Sequence, residues 1–294
     1  MSLTHEAPDM SGIPVPDRPM LEVRNLNVAF GTPRGPVEAV RGVSFSLGAE
    51  KLGIVGESGS GKSMTGRSIM RLVPPGAKLH ADTLRFREFD LIRATERKMR
   101  EIRGARISMI MQDPKYSLHP LFTVGEQIAE AFRAHHKASR REARDRAMDM
   151  LRAVQISDCV RVYNSYPHEV SGGMGQRVMI AMMLMPGPDI LIADEPTSAL
   201  DVTIRIEVLR ILDELVESRG LSLIFISHDL NLVATFCDRV LVMYSGRIVE
   251  TVDASRLQEA SHPYTQGLLK SLPRMDRRRK RLPVLSRDPD WMNQ

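Results

Sequence analysis

Apolar residues gather in short runs separated by polar turns. The runs suited to strands are LEVRNLNVAF (21–30), VRGVSFSL (40–47), KLGIV (51–55), RISMIM (106–111), DILIAD (189–194), LSLIFIS (221–227) and RVLVMY (239–244). Several are continuous and aliphatic, as expected of strands covered on both faces. Helix-period patterns alternate with them at about 61–72, 203–218 and 229–236. That alternation predicts an α/β fold with a largely parallel sheet. Residues from about 115 to 185 break it. TVGEQIAEAFRAHH, REARDRAMDMLRAV and the stretch after SGG read as successive helices with no strand between them. This is the pattern of an all-α subdomain inserted between two halves of the sheet, ended by Pro186 and Pro188.

With 294 residues, 43% of them apolar and 26% charged, the chain is long enough for a substantial core. No apolar run approaches the roughly 20 residues of a membrane span. The proline-rich opening, residues 1–19, lacks the regions of a signal peptide and reads as a disordered leader. Cys159 and Cys237 form no CxxC pair, which fits a reducing compartment without a disulfide framework or zinc. The net charge of +5 owes much to Arg140–Arg146 and to the tail RMDRRRKR at 274–281. Such runs read as solvated faces or ends; an anionic membrane surface or nucleic acid is the sharper alternative. No basic strand interleaved with aromatics favours RNA, and nucleic acid is not expected as a partner.

Chemistry enters with GESGSGKS at 56–63, which follows a strand and opens a helix. This is the phosphate-loop pattern in its required context, against the plainer alternative of a glycine-rich turn. Backbone N–H groups of Gly56, Glu57, Ser58, Gly59, Ser60 and Gly61, continued through Met64, would cradle phosphate oxygens. Lys62 would reach the β- and γ-phosphates, and Ser63 would ligate Mg²⁺. ILIADE at 190–195 is a buried strand ending in two carboxylates. Asp194 would hold the Mg²⁺ through water, and Glu195, projecting differently, would polarise an attacking water. His228 ends the strand in FISHDL, where a phosphate-sensing role competes with a structural or capping one. Gln112 closes RISMIM, placed to meet the water or the Mg²⁺ shell; alone it is uninformative.

The ordered set GESGSGKS, Gln112 in MQDP, SGG (171–173), ILIADE, SALD (198–201) and SHD (227–229) resembles the ATPase subunit of ATP-binding-cassette transporters over about 20–270. The resemblance implies a P-loop NTPase (RecA-like) core, an antiparallel β portion near the N-terminus and an inserted helical subdomain. It implies domain bounds of 20–260 for the ATPase and 261–294 for a C-terminal extension. It also implies roles: Glu195 the general base, His228 the switch histidine, Gln112 the γ-phosphate sensor, and Asp201 part of a loop at a dimer interface. Phe30 matches the aromatic that stacks on adenine, with an ordinary core position as its alternative. Two cassettes of this family bind head to tail, so Ser171, Gly172 and Gly173 would close over the γ-phosphate held by the other subunit. Met174 and Gly175 depart from the family's usual Gln and its Arg or Gln.

VEAVRGVSFSL, GIVGESGSGKSMTGRSIM, SGGMGQRV and HPYTQGLL (262–269) are similar to the dipeptide/oligopeptide/nickel importer group. SLHP (117–120) replaces the usual SLNP. No cysteine follows Cys237, so the iron–sulfur cluster of some members is not expected. The resemblance thus implies an ATPase using ATP and Mg²⁺, peripheral on the cytoplasmic face of the inner membrane. Its expected partners are two permease subunits, a second ATPase subunit (a paralogue or a copy) and, indirectly, a solute-binding protein. Peptide is the expected cargo, with nickel, opines or sugars as alternatives. A soluble cassette ATPase of DNA repair or translation, or a P-loop kinase or GTPase, is the rival from another class.

Overall fold

A computed structural model describes residues 19–33, 35–112, 117–198 and 200–271. Outside the described residues lie almost all of the proline-rich leader, the basic tail at 274–281, Asp113 and Pro114 of MQDP, and Ala199 of SALD.

The first sheet is antiparallel. Strand β1 (Leu21–Thr32) pairs β2 (Gly35–Leu47) on one side; on the other it pairs β4 (Lys78–His80) and β5 (Thr83–Phe86), and β6 (Phe89–Asp90) follows. The second sheet carries β3 (Lys51–Val55), β7 (Ile107–Ile110), β8 (Ile190–Asp194), β9 (Ser222–Ile226), β10 (Arg239–Tyr244) and β11 (Arg247–Asp253). Its order is β11-β10-β3-β9-β8-β7, parallel throughout except for the antiparallel edge pair β10–β11.

The central strands divide their side chains between two cores. Leu191, Ala193, Leu223 and Phe225 join one apolar cluster; Ile190, Ile192, Ile224 and Ile226 join the other. Successive Cβ atoms point to opposite faces, so a strand covered on both sides must be apolar at every position. One cluster lies against the antiparallel sheet and helix α1 (Lys62–Ile69). The other takes in the helices that follow β7, including α7 (Val202–Arg219), α8 (Leu230–Phe236) and α9 (Pro263–Ser271).

Between β7 and β8, which are hydrogen-bonded neighbours, the described chain forms only helices: α3 (Val124–Arg133), α4 (Arg140–Ala153), α5 (Cys159–Asn164) and α6 (Gly172–Leu184). Side chains mark their starts. Thr123 and Glu126 form a capping box, and Ser139, Asp158 and Ser171 each accept from a first-turn amide. Helix α2 (Glu96–Ile102) precedes β7, capped by Thr95. Among the described helices none is long and apolar enough to cross a membrane.

Candidate functional site

The carboxyl ends of β3, β7, β8 and β9 lie along one edge of the parallel sheet, and they and the segments leaving them carry the loop at 56–63, Gln112, Asp194, Glu195 and His228. This is where open α/β sheets place ligands.

The loop between β3 and α1 is shaped by its glycines. Gly56, Gly59 and Gly61 adopt φ of 150°, 81° and 101°, values that side-chain-bearing residues rarely take. Space enforces the same choice: a Cβ at Gly61 would lie 2.4 Å from the Ala39 carbonyl oxygen. The turn brings Lys62 back over its own loop, where Nζ donates to the carbonyls of Gly56 and Glu57, each at 2.8 Å. Lys62 is buried, and burial pushes its ammonium below the ordinary lysine value against the pull of Glu195, Asp194 and Glu57. Ser63 Oγ donates to Asp194 Oδ1 at 2.7 Å. Burial pushes the Asp194 carboxyl up, against the Ser63 hydrogen bond and nearby Arg67 and Lys62, while Glu195 adds to the rise.

Glu195, one residue beyond β8, has φ of 48°. A non-glycine residue in that region is uncommon and marks a position held by its surroundings. The hold is visible: Glu195 N donates to the Ile226 carbonyl at 2.9 Å, and Ser198 Oγ donates to the Glu195 carbonyl at 3.1 Å. The resulting turn aims Asp194 at Ser63 and Glu195 elsewhere. Gln112 Nε2 donates to Glu195 Oε2 at 3.1 Å, and His228 Nδ1 lies 3.2 Å from Glu195 Oε1. The Glu195 carboxylate, after β8, thus gathers two side chains that follow two other strands, Gln112 after β7 and His228 after β9. A carboxylate with both oxygens engaged and an exposed imidazole beside it can accept a proton from water and hold the donor in place.

The donor set suits a triphosphate with a hard divalent ion. The Ser60 side chain is buried and its hydroxyl has no partner among the described residues. The Lys62 ammonium is held only by neutral carbonyls in the hydrogen bonds it makes among those residues. An anion bound in the loop would meet both deficits. Ser63 and Asp194 offer oxygen ligands of the kind Mg²⁺ takes.

The remaining residues lie apart from this centre. Ser171 caps α6, its Oγ accepting from Met174 N at 3.4 Å; the cap is the serine, and Gly172 and Gly173 are the first two helical residues. Asp201 caps α7, accepting from Ile204 N at 3.0 Å. Among the described residues, neither side chain is hydrogen-bonded to the loop at 56–63 of its own chain. Phe30 lies two residues short of the end of β1, rather than at its last position, and is half-buried outside both apolar clusters. That argues against an ordinary core role for its ring. One contact has no counterpart among the sequence expectations: the Tyr264 hydroxyl accepts from Glu57 N at 3.0 Å. Its only sequence signal is HPYT, a group signature that carries no link to the loop.

Known proteins match this architecture. The family model described as ABC transporter matches residues 40–198. A probable peptide ABC transporter ATP-binding protein of Sinorhizobium fredii is 51% identical over 265 residues, 89% of this chain and 78% of that protein. The dipeptide transport ATP-binding protein of Bacillus subtilis is 50% identical over 260 residues, 87% of this chain and 78% of that one. Among solved structures, an ATP-binding cassette dimer in a post-hydrolysis state with ADP and Pi superposes with a TM-score of 0.69 at 26% identity. That match covers 80% of this chain and 99% of the other.

Proposed function

The chain belongs to the ABC transporter family, and from that premise we propose that it is the ATP-hydrolysing subunit of a peptide importer. The observation that carries the enzymatic part is the pair of carboxylates after β8, with Asp194 on Ser63 and Glu195 between Gln112 and His228. The peptide assignment rests on the relatives named for peptide, dipeptide and oligopeptide transport, at 48–51% identity.

In this reading the loop amides from Gly56 to Met64 and the Lys62 ammonium bind the phosphates of ATP. Phe30 stacks on the base. Ser63 and Asp194, with Gln112 at the edge of the shell, hold Mg²⁺, which when bound neutralises phosphate charge. Glu195 accepts a proton from the water that attacks the γ-phosphorus, as the bond to the bridging oxygen breaks and ADP leaves. Gln112 and His228 hold the Glu195 carboxylate in place, and His228 supplies a donor toward the transferred group. Catalysis is positioning plus electrostatics.

A second ATPase subunit, head to tail, supplies Ser171, Gly172, Gly173 and the loop at Asp201 to the opposite site. Two permease subunits receive the free energy. The helical insert offers them exposed apolar side chains, Leu121 and Phe122, shortly after Gln112. The subunit then lies peripherally on the cytoplasmic face of the inner membrane.

The test is reconstitution with two permeases and a solute-binding protein in vesicles. Peptide-loaded binding protein is expected to stimulate ATP hydrolysis and drive uptake of labelled di- or oligopeptide. Stimulation by nickel, an opine or a sugar in place of peptide would overturn the cargo assignment. No ATP turnover in any assembly would overturn the enzymatic one.

A further inference from the structure

We propose that Tyr264 is a positioning residue for the phosphate loop: its hydroxyl, delivered by the HPYT segment, fixes the backbone at Glu57 so that the loop is pre-shaped for ATP. The inference rests on the reading of residues 56–63 as the ATP site and adds to it a C-terminal arm. That arm lies beyond the 40–198 stretch covered by the family model.

Glu57 is held from both sides. Its N–H donates to Tyr264 Oη at 3.0 Å, while its carbonyl accepts from Lys62 Nζ at 2.8 Å and from Ser60 N at 3.2 Å. Residues 56 and 57 belong to neither the β3 ladder nor the α1 helix. Their backbone groups therefore need partners from elsewhere. With the Glu57 amide paired to the tyrosine, the plane of the 56–57 peptide is fixed, and with it the Gly56 carbonyl, one of the two that hold Lys62.

The tyrosine is itself held. Its side chain is fully buried, with its ring tilted against Tyr244 at the end of β10, 4.6 Å between centroids. The segment before it is clamped to β11: the Glu250 carboxylate accepts from Ser261 N at 2.6 Å, Ser261 Oγ at 3.1 Å and His262 N at 3.1 Å. His262 Nδ1 in turn accepts from Tyr264 N at 3.2 Å. Pro263 occupies the first position of α9, where no intrahelical partner for an amide exists. Each residue of His-Pro-Tyr thus has a separate part in carrying one hydroxyl to the loop. A core role alone would be met by a phenylalanine ring. The hydroxyl is the atom that touches the site.

The experiment compares Tyr264→Phe with Leu269→Ala in the full chain. The first keeps the ring and removes the hydroxyl; the second thins the packing of the same helix, where Leu269 is buried, and leaves the hydroxyl in place. Three readouts are taken: MgATP affinity by calorimetry, amide hydrogen exchange at Glu57 without nucleotide, and thermal stability. A net hydrogen-bond contribution predicts that Tyr264→Phe weakens MgATP binding about threefold to tenfold. Glu57 exchange should accelerate. In the assembled transporter KM for ATP should rise, with kcat at saturating ATP nearly unchanged. Leu269→Ala should lower the melting temperature and leave MgATP affinity as in the wild type. Unchanged affinity or unchanged Glu57 exchange in Tyr264→Phe overturns the proposal. So does an equal affinity loss in Leu269→Ala, because the effect would then follow helix stability and not the hydroxyl. A wild-type chain that binds no MgATP sinks the reading of the loop, and this inference with it; wild-type binding beside an unaffected Tyr264→Phe sinks this inference alone.

Discussion

Two glycine-rich stretches each lead into a helix, GESGSGKS at 56–63 and SGGMG at 171–175. In the first, the chain's own fold demands glycine. Gly56 and Gly61 have φ of 150° and 101°, and a Cβ on either would meet a carbonyl oxygen at 2.1 or 2.4 Å. In the second, the demand is only partly internal. A Cβ on Gly173 would lie 2.6 Å from Ile204 Cγ2, so this glycine lets α6 approach α7. A Cβ on Gly172 or Gly175 would meet nothing within 4 Å among the described residues outside its own helix turn, and neither residue has a left-handed φ. A glycine that costs helix stability with no internal cause points to something outside the chain. In the proposed function the first stretch is a site completed by its own fold, and the second would be half of a site that a partner completes. Of the two SGG glycines expected to face a partner's phosphate, Gly173 has a sufficient cause within the chain and Gly172 has none among the described residues.

The largest effect should come from the self-contained side. Lys62→Ala removes the ammonium that Gly56 and Glu57 hold in the loop. Tight MgATP binding and turnover should both be lost in the assembled complex, because a buried phosphate cluster loses its charge-assisted donor. Calorimetry and phosphate release measure this, and near-normal turnover would remove the loop from the site. Glu195→Gln comes next. It should bind ATP yet hydrolyse it about 10²–10⁴-fold more slowly, the usual worth of general-base assistance. ATP should then accumulate in a closed dimer, visible by size and by trapped nucleotide. Normal turnover would place the base elsewhere.

Legibility from sequence divides along the same physical lines. β3, β8, β9 and β10 are readable to within about a residue at each end, because strands buried on both faces are continuous apolar runs. β4, β5 and β6 are not: they are two to four residues long, and KLH at 78–80 shows no buried position. β11 (RIVETVD) has no fully buried residue on either face, so its alternation is faint. The phosphate loop announces itself because its chemistry is contiguous. The grouping of Gln112 and His228 on Glu195 does not, since Gln112 and Glu195 are 83 positions apart and only the resemblance joins them. Tyr264 and Glu57 are 207 positions apart, with no motif linking them.

Damage at Ser171 sharpens the contrast by acting on the other subunit. Ser171→Arg should leave the carrier's own P-loop able to bind ATP when the chain is alone, since among the described residues Ser171 is bonded to its own helix and not to that loop. In a complex with one variant and one wild-type subunit, nucleotide trapping should fail at the wild-type subunit's P-loop. The loss should be smaller than for Lys62→Ala, because one of two composite sites is hit. Failure confined to the variant's own P-loop would sink the trans arrangement.

The smallest effect, and the one of opposite sign, belongs to Gly175. It sits inside α6 with helical backbone, and among the described residues a Cβ there meets nothing within 4 Å outside the helix itself. Glycine in a helix interior is disfavoured relative to alanine by roughly 0.5–1 kcal/mol. Gly175→Ala should therefore raise the stability of the isolated chain by about that amount, read as a higher denaturation midpoint at unchanged slope. Gly173→Ala, two residues earlier, should lower it, because Ile204 has to move. The pair isolates the cause: both changes add one methyl to the same helix, and only the neighbour differs. If Gly175→Ala is stabilising and also preserves turnover in the assembled complex, the departure at 175 carries no function at the interface. If it stabilises the lone chain but slows hydrolysis in the complex, the missing side chain is required by the partner, as proposed for Gly172. A destabilised Gly175→Ala would show that the chain itself requires this glycine, and would place it with Gly56 and Gly61 rather than with Gly172.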